Sequence, residues 1–170
     1  MKLSLIFLLS LDILINVECS SQKYKTDIYE RIDTIITLDM ETNIADTQIV
    51  KYTDVFIDAE NCDSMSGHFI AKTCVTNKFR VKKLTALEFR CNGMFQREWE
   101  GEWAIQAFNI KCRNKKQTNH ATINQGSEFS PKAKEVLSKV KSGDQIVFEN
   151  IILEHPIKGK VTAEFLMQVK

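Results

Sequence analysis

Residues 144–169 read as two long apolar strands around a five-residue turn, and this pair limits the fold more than any other feature. Residues 144–153 carry Ile146, Val147, Phe148, Ile151, Ile152 and Leu153, and residues 161–169 alternate apolar with polar side chains. His155-Pro156-Ile157-Lys158-Gly159 lies between them. A period of two puts one apolar face on a pleated strand, so the pair predicts an antiparallel hairpin whose inner face needs cover.

One segment reads as a helix to provide that cover. Ser130 suits the cap and Pro131 the first helical position, and Ala133, Val136, Leu137 and Val140 form one stripe at i, i+3, i+4 and i+7. Gly143 is expected to end it. The remaining segments read as strands: residues 51–58, 69–75, 79–82, 87–91 and 103–112, with 32–38 fitting either a strand or a helix face. Turn chemistry marks residues 61–67 and Asn92-Gly93. Many short strands without alternating helices predict a mainly β fold, a sandwich with one short helix as its lid. At 44% apolar residues with only two prolines, disorder and collagen-like structure are excluded.

The N-terminus points to export. Lys2 precedes an apolar run at residues 3–11, which Asp12 interrupts and residues 13–15 resume. That run is too short to span a bilayer and fits a secretory signal, with Val17 and Cys19 marking cleavage before Ser20. A lipid on Cys19 is the rival, with Glu18 standing where such signals want a small residue; an N-terminal strand or helix of the domain is the structural alternative. No later segment reaches membrane-spanning length. Without residues 1–19 the chain holds 22 basic and 20 acidic residues, too balanced for nucleic acid. Residues 110–170 hold eleven basic and six acidic groups, and Lys111, Arg113, Lys115 and Lys116 form a basic cluster suited to an acidic protein surface.

An oxidising compartment makes Cys62, Cys74, Cys91 and Cys112 candidates for two disulfides in any of three connectivities, or for buried thiols in part. Their spacing lacks a Cys-x-x-Cys pair, which disfavours a zinc ribbon. His68, His120 and His155 are widely spaced and expected on the surface. Glu98, Glu100 and Glu102 alternate with Trp99 and Trp103; they read as an edge kept soluble rather than as a glycosidase pair. No catalytic residue, metal ligand or cofactor site is expected. Trp99 and Trp103 share parity, so they either stack a sugar on an exposed face or, for Trp103 at least, pack into the core.

Several motifs then combine. Gly126-Ser127-Glu128-Phe129-Ser130-Pro131, Lys141-Ser142-Gly143-Asp144 and Val147-Phe148-Glu149-Asn150-Ile151 resemble the closing segment of the gliding-motility GldM family. Phe79-Arg80-Val81-Lys82 and Ala107-Phe108-Asn109-Ile110 resemble two of its upstream strands, so the resemblance spans about residues 75–170. It implies an immunoglobulin-like β-sandwich from the periplasmic part of a gliding or type nine secretion apparatus. The family's transmembrane and long helical regions have no counterpart, so no motor role carries over, and the four cysteines are not part of its pattern. The expected organisation is a signal peptide (1–19), a β-rich segment or small β domain (20–74) and a GldM-like sandwich (75–170). The expected function is an exported, non-enzymatic envelope protein that binds another protein, with a carbohydrate-binding module using Trp99 and Trp103 as the alternative.

Overall fold

The computed structural model describes residues 4–13, 24–39, 44–60, 62, 65–91, 103–114 and 117–170. They form two sheets and two helices, a β-sandwich. The first sheet holds β1 (Ser4–Ile13), β2 (Tyr24–Asp39), β3 (Ile44–Ala59) and β6 (Ala86–Cys91) in that order, with β3 and β6 parallel. The second runs β4 (His68–Ile70), β10 (Gly159–Val169), β9 (Gln145–His155), β7 (Ala104–Arg113) and β8 (Thr118–Gln125). β5 (Cys74–Thr76) also pairs with β10, in parallel like β4.

One apolar core joins the sheets. Val55, Ile57 and Leu87 meet it from the first sheet, and Ile110, Phe148, Leu153, Phe165 and Met167 from the second. The expected division falls near residue 74. β5 straddles it, and β6 completes the sheet of β2 and β3.

The closing hairpin forms as β9 and β10, in register from Gly159↔His155. Its apolar pattern slips by one between Phe148 and Ile151, and the backbone explains why. Asn150 sits at φ 52°, in the left-handed region that asparagine tolerates, and the register shifts there. The extra residue keeps Phe148, Ile151 and Leu153 all inward. A further shift between Ile105 and Ala107, where β7 carries the extra residue, turns Phe108, Ile110 and Cys112 into the core beside Ile105, where simple alternation had Ile105 and Ala107 sharing a face.

Helix α2 (Pro131–Ser138) has the expected cap: Ser130 Oγ accepts the Ala133 N–H at 3.2 Å. Ala133, Val136 and Leu137 are buried. The helix ends at Ser138, and Gly143 serves instead in the turn into β9 at φ 91°. Among the described residues, no helix is long and apolar enough to cross a membrane.

Three readings change. Residues 79–82 form a helical turn, α1 (Lys78–Val81), because the Asn77 side chain accepts the N–H groups of Phe79 and Arg80. The strand expected over 69–75 breaks into β4 and β5 around Ala71, whose N–H bonds Glu164 O at 2.8 Å. β8 was not foreseen. Its inward residues are Thr122 and Asn124 and its outward one is Ile123, so its hydrophobic pattern is inverted. The turn expected at Asn92-Gly93 lies outside the described residues.

Candidate interaction surfaces

The motif residues from 124 to 144 bind backbone. Asn124 is fully buried; its Nδ2 donates to Glu128 O at 2.9 Å and Gly126 O at 3.1 Å, while its Oδ1 accepts the Ser130 N–H at 2.8 Å. Gly126 supplies the positive φ (72°) and donates its N–H to Gln106 O. The same turn reaches the other sheet, through Leu87 N–H to Ser127 O and Phe129 N–H to Thr85 O, both 2.9 Å. Beyond the helix, Asp144 Oδ2 accepts the Lys141 N–H at 2.8 Å, and Gly143 N–H bonds Val169 O at 2.7 Å. These side chains staple turns together and present no reactive group.

A cysteine pair and two separate thiols follow from register. Ala59 opposes Cys91 across β3 and β6, so the chain just past β3 brings Cys62 within 5.8 Å (Cα–Cα) of Cys91, and they form a disulfide. The second expected disulfide does not form. Cys74 opposes Met167, Met167 opposes Ile146, and Ile146 opposes Cys112. Two strands therefore separate Cys74 from Cys112 by about 14 Å, at roughly 4.8 Å per strand, whereas a disulfide needs less than about 7 Å. Both thiols are buried, and desolvation pushes the Cys112 thiol up to about 12, so it stays protonated and unreactive.

The expected binding residues do not converge on one site. Trp103 is 6% exposed, packed edge-on to Phe89 at 6.1 Å and against His155 at 5.2 Å. It cannot serve an exposed sugar platform, and Trp99 lies outside the described residues. Lys111 projects from the outer face of the second sheet and pairs with Glu149, while Arg113 beyond it is exposed. Lys115, Lys116 and Cys19 lie outside the described residues.

The histidines divide in the same way. His120 is exposed. His155, expected on the surface, is buried, and its Nδ1 accepts the N–H groups of Ile157 and Lys158 to fold the hairpin turn. His68 Nδ1 lies 2.9 Å from Thr162 Oγ1, with Glu164 3.8 Å from its other nitrogen. Among the described residues, no three His, Cys, Asp or Glu side chains converge as metal ligands would.

Sequence reading missed the outer face of the first sheet. Lys25, Asp27, Tyr29, Arg31 and Asp33 alternate along β2 opposite Asp58, Phe56, Asp54, Tyr52 and Val50 of β3. Lys25 pairs with Asp27 at 2.5 Å and Arg31 with Asp33 at 3.3 Å. The Arg90 guanidinium lies 3.6 Å from the Phe56 ring centre and 5.4 Å from that of Tyr29; Arg31 lies 4.8 Å from that of Tyr52. The hydrogen bond to Asp27 holds Lys25 more strongly protonated, against partial burial. Burial raises Asp58, with Arg90 opposing the rise. The signal is a polar–apolar alternation beginning at Lys25, ahead of residues 32–38, which fit either a strand or a helix face.

Residues 101–163 match the GldM C-terminal domain. That GldM-like stretch comprises β7, β8, α2, β9 and the start of β10, including the stapled turns at Asn124–Ser130 and Lys141–Asp144. Phe79-Arg80-Val81-Lys82 lies outside it and is a helical turn, so that part of the resemblance does not extend upstream as a strand. No curated protein matches the chain.

Proposed function

We propose that the chain is an exported, non-enzymatic protein-interaction module, of the kind that closes periplasmic GldM-type components of gliding or type nine secretion machinery. The observation that carries this reading is the family match over residues 101–163, whose motif side chains hold turns rather than present chemistry. Removal of residues 1–19 as a signal, or retention of Cys19 with a lipid, completes the export reading. The partner surface is acidic and meets the edge beyond β7, where Arg113 is exposed and is followed in the sequence by Lys115 and Lys116; Lys111 is already matched to Glu149.

Two measurements test this. Intact mass of native protein should give a chain beginning at Ser20, and alkylation after unfolding without reductant should label Cys74 and Cys112 but not Cys62 or Cys91. A chain retaining residues 1–19 without lipid overturns export. Capture of the envelope partner should weaken with salt, because exposed charges are screened over about 8 Å at physiological ionic strength. Replacing Arg113, Lys115 and Lys116 together by Ser should slow association and leave unfolding unchanged. Capture insensitive to both salt and substitution removes the basic edge from the interface.

A further inference from the structure

The edge of β2 opposite β3 is paired along Glu30–Asp39 by Ser4–Ile13. The export reading removes those residues, and the present inference rests on it. Cleavage then leaves ten residues of strand edge without a neighbour, and they contain no proline, glycine or lysine to discourage pairing. Ile32, Ile35, Ile36 and Leu38 lie along that edge.

The register of β1 shows what the edge accepts. Asp12 opposes Arg31, Leu11 opposes Ile32, Leu9 opposes Thr34, Leu8 opposes Ile35 and Leu5 opposes Leu38. A second β2, run antiparallel about a two-fold axis at Ile35, offers nearly the same row. The second copy's Asp39 would stand opposite Arg31, its Leu38 opposite Ile32, its Ile36 opposite Thr34 and its Ile35 opposite Ile35. A two-fold axis normal to a sheet requires opposed residues to share a face, and each of these pairs has equal parity. No like charges meet: Asp33 falls opposite Thr37. Arg31 is suited to the added pair, because its guanidinium is 43% exposed at the side chain while already 3.3 Å from Asp33.

The geometry also leaves room. The buried core begins at Ile28 on β2 and Val55 on β3, and β6 meets β3 only from Asp54. Ile35 therefore stands on an arm beyond the sandwich. Thr26 is about 30 Å from Ile35 at roughly 3.3 Å per residue, so the two cores would lie at opposite ends of the shared sheet.

We infer that the processed chain pairs with a second copy of itself through β2, running β6-β3-β2 into the mate's β2-β3-β6 as one sheet. Light scattering on the processed native protein should report a dimer. Arg31→Asp and Asp39→Arg should each raise the dissociation constant about tenfold or more, since two symmetry-related opposite-charge pairs become like-charge pairs. The double exchange should restore dimerisation. Ile35→Cys should cross-link to its own mate on mild oxidation, whereas Thr34→Cys should not. Thermal unfolding compared at a concentration where the parent is itself monomeric, and unchanged in each single variant, separates loss of pairing from loss of fold. A processed chain that stays monomeric, or single exchanges without effect, overturns the pairing alone. A native chain that retains residues 1–19 overturns the export reading, and the open edge with it, and the mass identifies which failed.

Discussion

Two aromatic clusters in this molecule are built on opposite principles. On the second sheet Phe108, Phe148 and Phe165, with Phe129 from the turn before α2, pack ring against ring, with Phe148 and Phe165 stacked at 4.5 Å and all four nearly inaccessible. In the first sheet Tyr29 and Phe56 meet edge-on at 5.0 Å on the outer face, under Arg90 and beside Asp58. The first cluster stabilises by removing apolar area from water. The second does so by matching charge to ring and carboxylate at a partly wet surface, where each contact is worth less. The difference teaches that the GldM-like half holds the fold, while the β2–β3 half carries polarity that packing alone does not require.

The comparison breaks most readily at its dry end. Phe148→Ala should destabilise by about 3–5 kcal/mol, read as a shifted urea midpoint with unchanged slope. A loss no larger than that of Phe56→Ala would erase the distinction between the two clusters. Next in size is Asn124→Ala, expected to cost about 2–4 kcal/mol because several buried backbone groups lose partners worth about 1–3 kcal/mol each. Asn124→Asp should not rescue it, since the carboxylate keeps the acceptor for Ser130 but loses both donors. Rescue by Asp would mean the amide is not the staple.

The smallest effect sharpens the wet end. Arg90→Ala should cost about 1 kcal/mol at neutral pH. Its sign with pH follows from Asp58, whose folded value is raised by burial above the ordinary 3.8. The folded state then holds its proton more tightly than the unfolded one, so stability falls as pH climbs above 3.8 through the raised value. Arg90 moderates that fall by lowering Asp58, so the cost of Arg90→Ala should shrink in acid. A pH-independent cost would leave only the ring contacts.

What was legible in the sequence was whatever burial alone had written. The closing hairpin, the stripe of α2 and its Ser130 cap were readable because apolar period and cap chemistry agreed there. β8 was not, since its inward positions are Thr122 and Asn124, and Asn124 is inward in order to bond backbone. Residues 79–82 have a strand's composition, yet one Asn77 side chain outweighs it over so short a stretch. Separation in sequence said nothing of which cysteines are neighbours; only the strand order does, and it parts Cys74 from Cys112. His155, expected on the surface, lies in the interior against Trp103, whose packing into the core was one of its two expected placements.

β10 lies inside its sheet, with β9 on one side and β4 and β5 on the other, and Val169 and Lys170 bond Asp144 and Thr76. The strand synthesised after every other strand of the sandwich is therefore the one that joins them. A nascent chain lacking it has β4 and β5 with no sheet to enter, so the second sheet is completed only after synthesis has passed residue 169. Such late, long-range pairing slows folding.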